Sequence, residues 1–201
     1  MPTPQEEFWS GPEGSAYTAR NGPRLLPAKV AFFQRALAKV DRIGSAIEFG
    51  ANRGLNLRAL YELYPGQYQA AVEINWTALQ ALVDEWGPNE VHDCSLLQFT
   101  PLRRYELSLS MGVLIHLAPS DLPRAYEVLH KASSRYLLVA EYFAETPVEV
   151  RYRGHDRMLF KRNFGGEIEA GFADLKRIDE GFAGKDVGQD NLTWWLWEKA
   201  A

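Results

Sequence analysis

An acidic residue precedes two glycines in the stretch AIEFGANRGLNLRAL, residues 46–60. Glu48 ends an apolar run, Gly50 and Gly54 follow it, and apolar residues then recur at helical spacing. A dinucleotide site needs G-x-G-x-x-G and a P-loop needs G-x-x-x-x-G-K-[ST], and neither pattern stands here. The stretch predicts a strand, a tight turn and a helix, with the turn as a candidate ligand site.

The chemistry of this turn favours a ligand that carries positive as well as negative charge. Glu48 would repel a pyrophosphate but suits a cation, and the unpaired N–H groups of the helix start, with Asn52 in the turn, suit an anion. S-adenosylmethionine (SAM) has an ammonium, a sulfonium, a carboxylate and a ribose, so it fits this turn better than a pyrophosphate does. The alternative is that the glycines serve only strand-to-helix packing.

A second acid, Glu73, ends the next strand-like run, YQAAVEI, and is followed by Ile74. Nucleotide-binding α/β units place an acid about 20 residues beyond the glycine turn, where it accepts hydrogen bonds from the ribose hydroxyls. Glu73 is therefore the candidate ribose ligand. A solvated acid that happens to end a strand is the alternative reading.

Two further strand ends are candidates for the same ligand site. Ser95 and Leu96, after NEVHDC, are expected beside an adenine, although a core strand followed by a turn explains them equally well. Met111 lies among small and flexible residues at the end of YELSLSMGV. Open α/β sheets bind ligands at the carboxyl ends of their strands, so Met111 is expected to contact the ligand.

Candidates for proton transfer follow the same strand ends. His116 lies just beyond the fourth strand and His155 in RYRGHDR, and an imidazole titrates near neutral pH. Glu141 and Tyr142 end the strand YLLVAEYF and are candidates to hold the substrate. The alternatives are a structural hydrogen bond for His116 and an ion pair with a neighbouring arginine for Glu141.

Basic residues gather in VRYRGHDRMLFKRNF, in a chain whose formal net charge is −4. One acid, Asp156, is surrounded there by Arg151, Arg153, Arg157, Lys161 and Arg162, and Tyr152 lies between the first two arginines. Guanidinium groups match carboxylates and phosphates bidentately. This segment is interpreted as a site for an anionic substrate. A solvated basic loop is the alternative.

Helix and strand patterns alternate from residue 28 onwards, which predicts an α/β fold with a mostly parallel sheet covered on both faces. Ser120 is the expected N-cap of the helix in APSDLPRAYEVLHKA. The last two strand-like runs, LKRIDEGFAG and LTWWLWEK, have no helix between them. They predict an antiparallel hairpin at a sheet edge.

Composition narrows the class of protein. The 201 residues suit one α/β domain, and the net charge of −4 argues against nucleic-acid binding. One cysteine and four scattered histidines support no metal site. The first residues resemble neither a signal peptide nor a membrane anchor, so a cytoplasmic protein is expected.

The motifs taken together resemble class I SAM-dependent methyltransferases, and more narrowly the pseudaminic acid biosynthesis-associated methylases. The resemblance rests on FWSGPEGSAYTARN, EFGANRGLNLRAL, VEIN, GVLIHL, AEYFAETPVEVRYRGHDRMLFKRNFGGE and DNLTWWLWEK. It implies a doubly wound, Rossmann-like sheet of seven strands, SAM as cofactor, and a link to nonulosonic (sialic-acid-like) sugar biosynthesis. Ser95 departs from the pattern, because an Asp is common there.

The resemblance also implies roles for two segments. Residues 1–27 become an N-terminal helical lid whose Trp9, Tyr17, Arg20 and Asn21 cover the methionine end of SAM, although Trp9 could simply anchor a terminal helix. Residues 144–165 become the acceptor-side segment. The implied function is methyl transfer to a small anionic molecule, with a SAM-using cyclase or lyase, or a non-enzymatic binding module, as alternatives.

Overall fold

The computed structural model describes residues 1–200 and is built on a seven-stranded sheet. The sheet order is β3-β2-β1-β4-β5-β9-β8. Its strands are β1 (Ser45–Phe49), β2 (Tyr68–Glu73), β3 (Glu90–Asp93), β4 (Tyr105–Met111), β5 (Ser133–Glu141), β8 (Leu175–Ala183) and β9 (Leu192–Lys199). Six strands run parallel, and β9 runs antiparallel to β5 and β8. The predicted fold class is confirmed.

The predicted antiparallel C-terminal hairpin is present at the edge of the sheet. β9 lies between β5 and β8, so only β8 forms the edge. Trp194, Trp195 and Trp197 of β9 are nearly inaccessible to solvent, as an interior strand requires. The Trp-rich run therefore belongs to the core of the sheet.

Helices cover both faces of the sheet. They are α1 (Pro4–Ser10), α2 (Pro12–Arg20), α3 (Leu26–Ala36), α4 (Leu55–Leu63), α5 (Trp76–Glu85), α6 (Leu122–Ala132) and α7 (Phe164–Gly171). Short 3-10 turns lie at Pro23–Leu25, Leu114–His116 and Lys185–Val187. No helix within residues 1–200 is both long and apolar enough to span a membrane.

Alternation along the central strands explains why both faces are apolar. In β5, Leu137 and Val139 pack on one face, and Leu138 and Ala140 on the other. Successive side chains of a strand point to opposite faces, so a strand buried on both sides is apolar throughout. The sheet thus separates two apolar cores, and Tyr142, just after β5, packs against both.

Helix boundaries follow local capping chemistry. Asn75 precedes α5, and its side-chain oxygen accepts the N–H of Ala78 at 3.1 Å. The expected cap of α6 was wrong, because Asp121 rather than Ser120 occupies the N-cap position and makes no side-chain cap bond. Pro123 in the first turn lacks an N–H, which reduces the need for a cap there.

A second, two-stranded sheet lies within residues 144–165, the segment that the resemblance assigns to the acceptor side. It consists of β6 (Val148–Tyr152) and β7 (His155–Lys161), paired antiparallel. Arg153 and Gly154 have positive φ at the turn, with values of 49° and 88°. We call residues 148–161 the basic hairpin.

We expect Gly54→Ala to lower the free energy of unfolding more than Gly66→Ala does. Both glycines have φ near +80°, but a Cβ at Gly54 would lie 2.5 Å from Leu82 Cδ1, whereas one at Gly66 would meet nothing within 4 Å. Left-handed strain costs about 1–2 kcal/mol and overpacking a further 1–3 kcal/mol or so. Urea unfolding of both variants measures the difference, and equal losses would contradict the packing role of Gly54.

Candidate functional site

A cavity of about 550 Å³ opens at the carboxyl edge of the sheet, beneath the two N-terminal helices. Its volume lies within the range of about 300–1,000 Å³ typical of small-molecule sites. Fifteen residues predicted from the sequence line it: Trp9, Tyr17, Arg20, Asn21, Gly50, Asn52, Glu73, Ile74, Ser95, Leu96, Met111, His116, Tyr142, Tyr152 and Arg153. The structure thus brings together most of the predicted site.

The turn after β1 is tightly built. Gly50 has φ 72° and Asn52 φ 48°, and the N–H groups of Gly50 and Ala51 both donate to the carbonyl of Val72. A Cβ at Gly50 would lie 2.4 Å from Val113 Cγ2, so no larger residue fits without a shift. Glycine is required here for the left-handed backbone and for the close approach of Val113.

Glu73 connects three segments at the cavity wall. Its two carboxylate oxygens accept the N–H groups of Asn52 and Asn75, each at 2.7 Å. The side chain is buried, and burial raises its pKa while the backbone hydrogen bonds oppose the rise. Each oxygen keeps a further lone pair, so the carboxylate can still accept hydroxyl donors from the cavity.

Glu48 and Gly54 do not line the cavity, contrary to expectation. Glu48 is fully buried, and its Oε1 accepts the side-chain N–H of Asn56 at 2.5 Å. Burial raises its pKa to about 8, so at neutral pH the group is mainly uncharged. Gly54 starts α4 and packs against Leu82. Both residues therefore support the turn after β1 from the side that faces away from the cavity.

Glu141 is likewise placed behind the cavity wall. Its carboxylate accepts the N–H groups of Val113 and Leu114, both at 3.0 Å, and of Ile115 at 3.4 Å. The side chain is fully buried, and burial raises its pKa to about 7. Neither predicted role fits, because Glu141 caps the 3-10 turn that carries His116.

His116 has a defined tautomer. Its Nδ1 lies 2.6 Å from the carbonyl oxygen of Met158, which can only accept, so Nδ1 carries the proton and Nε2 is the basic nitrogen. Burial lowers the pKa of His116 to about 4. The imidazole is therefore neutral at physiological pH, and its ring packs 4.4 Å from that of Trp9.

The N-terminal helices are fixed over the cavity chiefly by one side chain. Asn75 Nδ2 donates to the carbonyls of Trp9 and Gly11 at 3.0 Å and of Ser10 at 3.2 Å. At the other end of α1, Gln5 Nε2 donates to the carbonyl of Arg157 in the basic hairpin at 2.9 Å. The predicted lid is thus a helical cover attached to α5 and to the hairpin.

Aromatic rings form the upper wall of the cavity. The Trp9 ring lies 5.6 Å from Tyr17, 5.9 Å from Tyr152 and 4.4 Å from His116. Burial raises the pKa of Tyr17 to about 12, so its hydroxyl stays protonated. Such faces attract cations, as the sequence suggested for a sulfonium or an ammonium.

Most of the basic hairpin faces away from the cavity. Arg151 is exposed and pairs with Asp156 at 3.5 Å, and Arg157 is exposed with its N–H bonded to Glu149. His155 is also exposed and packs 5.1 Å from Phe8. Of residues 148–161, only Tyr152 and Arg153 line the cavity. Strand alternation places Arg151 on the opposite face from Tyr152, and Arg153 lies in the turn, where its φ of 49° breaks the alternation. The predicted arginine cluster around one anion is not formed.

Several cavity residues escaped the sequence reasoning: Gln5, Glu6, Lys29, Asn75, Gln189 and Asp190. Arg20 Nη2 and Trp9 Nε1 are buried without a hydrogen-bond partner. The helical pattern of residues 26–36 and the polar run before β9 gave no sign that they meet at the cavity.

Among residues 1–200, no group of three or more potential metal ligands is found.

Sequence comparison assigns no relative. No family model matches the chain, and no curated protein matches it. The solved structures, in contrast, include many similar chains.

Three of them illustrate the likeness. A Burkholderia thailandensis 1,6-didemethyltoxoflavin-N1-methyltransferase with bound S-adenosylhomocysteine has a TM-score of 0.73 at 15% identity, over 98% of this chain and 87% of that one. A Leishmania major SAM-dependent methyltransferase of the DUF858 family has a TM-score of 0.74 at 14% identity, over 96% and 80%. The sugar N-methyltransferase KedS8 of a Streptoalloteichus species has a TM-score of 0.69 at 14% identity, over 92% of both chains.

The strand order and these neighbours define the fold. The chain has the α/β, Rossmann-like fold of class I SAM-dependent methyltransferases, with β9 antiparallel in an otherwise parallel seven-stranded sheet. At this level of identity the likeness establishes the architecture alone.

Replacing His116 should change how stability depends on pH. Its folded-state pKa of about 4 lies below its usual 6.5, so between these values the unfolded chain binds the extra proton. The neutral ring therefore stabilises the fold fully above pH 6.5, and this contribution is lost as pH falls towards 4. Relative to His116→Gln, the wild type should lose up to about 3 kcal/mol across this window.

Urea unfolding of both proteins from pH 4 to 7 provides the measurement. Glu48 and Glu141 titrate with the opposite sign, because their raised pKa values favour the folded state at low pH. Their effects cancel in the difference between the two proteins. A difference that does not vary with pH would contradict the buried neutral state of His116.

Proposed function

We propose that the protein is a SAM-dependent methyltransferase acting on a small anionic molecule. The observation that carries the proposal is the cavity at the carboxyl edge of β1, β2 and β4, which joins a glycine turn to the carboxylate of Glu73. Open α/β sheets bind ligands at this edge. Of the similar structures, the Burkholderia enzyme was solved with S-adenosylhomocysteine bound.

The residues present fit SAM group by group. Glu73 has lone pairs for the ribose hydroxyls, and Ser95 and Leu96 line the wall where the adenine is expected. Arg20 Nη2, buried without a partner, suits the methionyl carboxylate. The faces of Trp9 and Tyr17 suit the positive sulfur. In this fit the methionyl carboxylate accepts from Arg20 Nη2, a buried donor that has no hydrogen-bond partner within residues 1–200.

SAM, when bound, supplies a methyl group on a positively charged sulfur. The residues around it need to align the acceptor and to remove a proton from a hydroxyl or an ammonium. His116 Nε2 is the proton acceptor in this proposal, since Nδ1 is committed to Met158. Glu141 acts indirectly, because it fixes the 3-10 turn on which His116 lies.

The acceptor we favour is a nonulosonic acid or a nucleotide-sugar. The resemblance of the chain to pseudaminic acid biosynthesis-associated methylases supports this choice, and so does the presence of a sugar N-methyltransferase among the similar structures. Tyr142, Tyr152 and Arg153 are the acceptor-side residues of the cavity. Arg151, Arg157 and His155, exposed on the basic hairpin, have no part in this proposal.

Incubation with SAM and candidate sugar acids tests the reaction class. Formation of S-adenosylhomocysteine with a methylated acceptor supports methyl transfer. Methylthioadenosine or a cyclic amino acid would indicate a SAM lyase or cyclase instead. Bound but unchanged SAM would indicate a binding module.

Glu73→Ala should weaken SAM binding by about 2–3 kcal/mol, the scale of hydrogen bonds to a charged group. The variant also loses the bonds to the N–H groups of Asn52 and Asn75, so its unfolding must be followed in parallel. Calorimetry measures the affinity, with Glu62→Ala on the exposed face of α4 as a control for the loss of one carboxylate. Unchanged affinity in folded Glu73→Ala would remove the ribose assignment.

A further inference from the structure

A lysine lies at the cavity without a close counter-charge. Lys29, in the first turn of α3, lines the cavity. Its Nζ is 3.7 Å from Met111 Sδ and 3.5 Å from Gln189 Oε1. The contact with Gln189 is longer than the usual N–H···O range of about 2.7–3.2 Å, and the thioether of Met111 is only a weak acceptor. Across residues 1–200, no carboxylate oxygen lies within the 4.0 Å limit of an ion pair with this Nζ.

Two acids attract this lysine from farther away. Burial lowers the pKa of Lys29, and the charges of Glu48 and Asp190 oppose that effect. Glu48 is mainly uncharged at neutral pH, because burial raises its own pKa to about 8. Asp190 is exposed to solvent. A partly buried ammonium without a close counter-charge gains from an anion that enters the cavity.

The neighbours of Lys29 place it away from the nucleoside half of the site. Met111 ends β4, and Gln189 belongs to the connection between β8 and β9, where its Nε2 donates to the carbonyl of Ala28 at 3.0 Å. Glu73 ends β2, on the opposite side of β1 in the sheet. Lys29 therefore lies towards β4, β5 and β9.

Arg20, whose Nη2 is buried without a hydrogen-bond partner, lies on the glycine-turn side of the cavity. Its helix, α2, and the residue after it are bonded to the turn, with Asn52 Nδ2 donating to Thr18 Oγ1 and Arg53 Nη1 to the carbonyl of Asn21. Arg20 is thus the cation beside the proposed methionine site. Lys29, beside Met111 and Gln189, is placed to meet a second anion.

We propose that Lys29 binds the anionic group, a carboxylate or a phosphate, of the methyl acceptor. This inference rests on the proposed function and moves anion recognition from the basic hairpin to α3. Asp190 and Tyr142 line the same part of the cavity and offer hydrogen-bond partners to hydroxyl groups. The site therefore fits an acid that also carries hydroxyls.

Methionine methyl NMR gives a local readout. The chain has three methionines, and Met111 Sδ is the one in contact with Lys29 Nζ. Protein with ¹³C-methyl methionine, saturated with S-adenosylhomocysteine, is titrated with N-acetylneuraminate and with inorganic phosphate in the millimolar range. The methyl ester of N-acetylneuraminate serves as the uncharged probe.

We expect at least one of the two anions to shift the Met111 resonance saturably and the ester to bind about tenfold more weakly than the acid where the acid binds. Lys29→Gln should abolish the anion response while S-adenosylhomocysteine affinity stays within about threefold of wild type. Lys131→Gln, which removes an exposed lysine of α6, should respond like wild type. Thermal unfolding confirms that each variant is folded.

Three results would overturn the proposal. They are no Met111 response to either anion, an unchanged response in Lys29→Gln, or a loss in that variant of the preference for S-adenosylhomocysteine over its decarboxylated analogue. The last result would assign Lys29 to the methionyl carboxylate instead. Should the wild type bind no S-adenosylhomocysteine, the proposed function fails, and the same titration of the free protein still tests Lys29.

Discussion

The burial of carboxylates at the ends of parallel strands organises this molecule. Glu48, Glu73 and Glu141 end or nearly end β1, β2 and β5, and each is at most 7% exposed. A buried carboxylate is tolerated only when hydrogen bonds replace its lost hydration. The donors to Glu73 and Glu141 are backbone amides of the segments that follow β1, β2 and β4, whereas Glu48 Oε1 accepts from Asn56 in α4 and its Oε2 has no partner. The bonds to Glu73 and Glu141 therefore fix the loops that form the cavity, and the bond to Glu48 joins β1 to α4.

The same requirement connects the cavity to its cover. Asn75 donates its backbone N–H to Glu73 and its side-chain N–H groups to carbonyls at the end of α1. Glu141 holds the 3-10 turn whose His116 packs against Trp9 of that helix. The β2 side and the β4–β5 side of the cavity are thus each joined to the N-terminal helices. A displacement of the cover must disturb both.

Much of this arrangement follows from sequence patterns, and the rest depends on contacts between residues that are far apart in the chain. Strand periodicity followed by helical spacing located Glu73, Met111 and His116 at one edge, because parallel strands end together. It could not decide that Glu48 and Glu141 lie behind the wall, since the direction of each side chain depends on the pleat and on the packed neighbours. Nor could the pattern predict that Lys29 lies at the cavity, because its neighbour there, Gln189, is 160 residues away in the chain. The expected cluster of hairpin arginines was wrong because β6 ends at Tyr152: Arg153 lies in the turn, while Arg151 and Arg157 are exposed on the two strands.

The interior position of β9 has a consequence for how the protein is made. β5 is complete at residue 141, yet its free edge is covered only by residues 192–199, and β8 has no neighbour in the sheet until the same residues arrive. During synthesis, β5 therefore waits with an unpaired edge while about 50 further residues are added, which takes a few seconds at typical elongation rates. Unpaired edges are templates for association with other chains. The late arrival of its three buried tryptophans makes this chain one whose yield depends on the speed of its last folding step as much as on the stability of the finished fold.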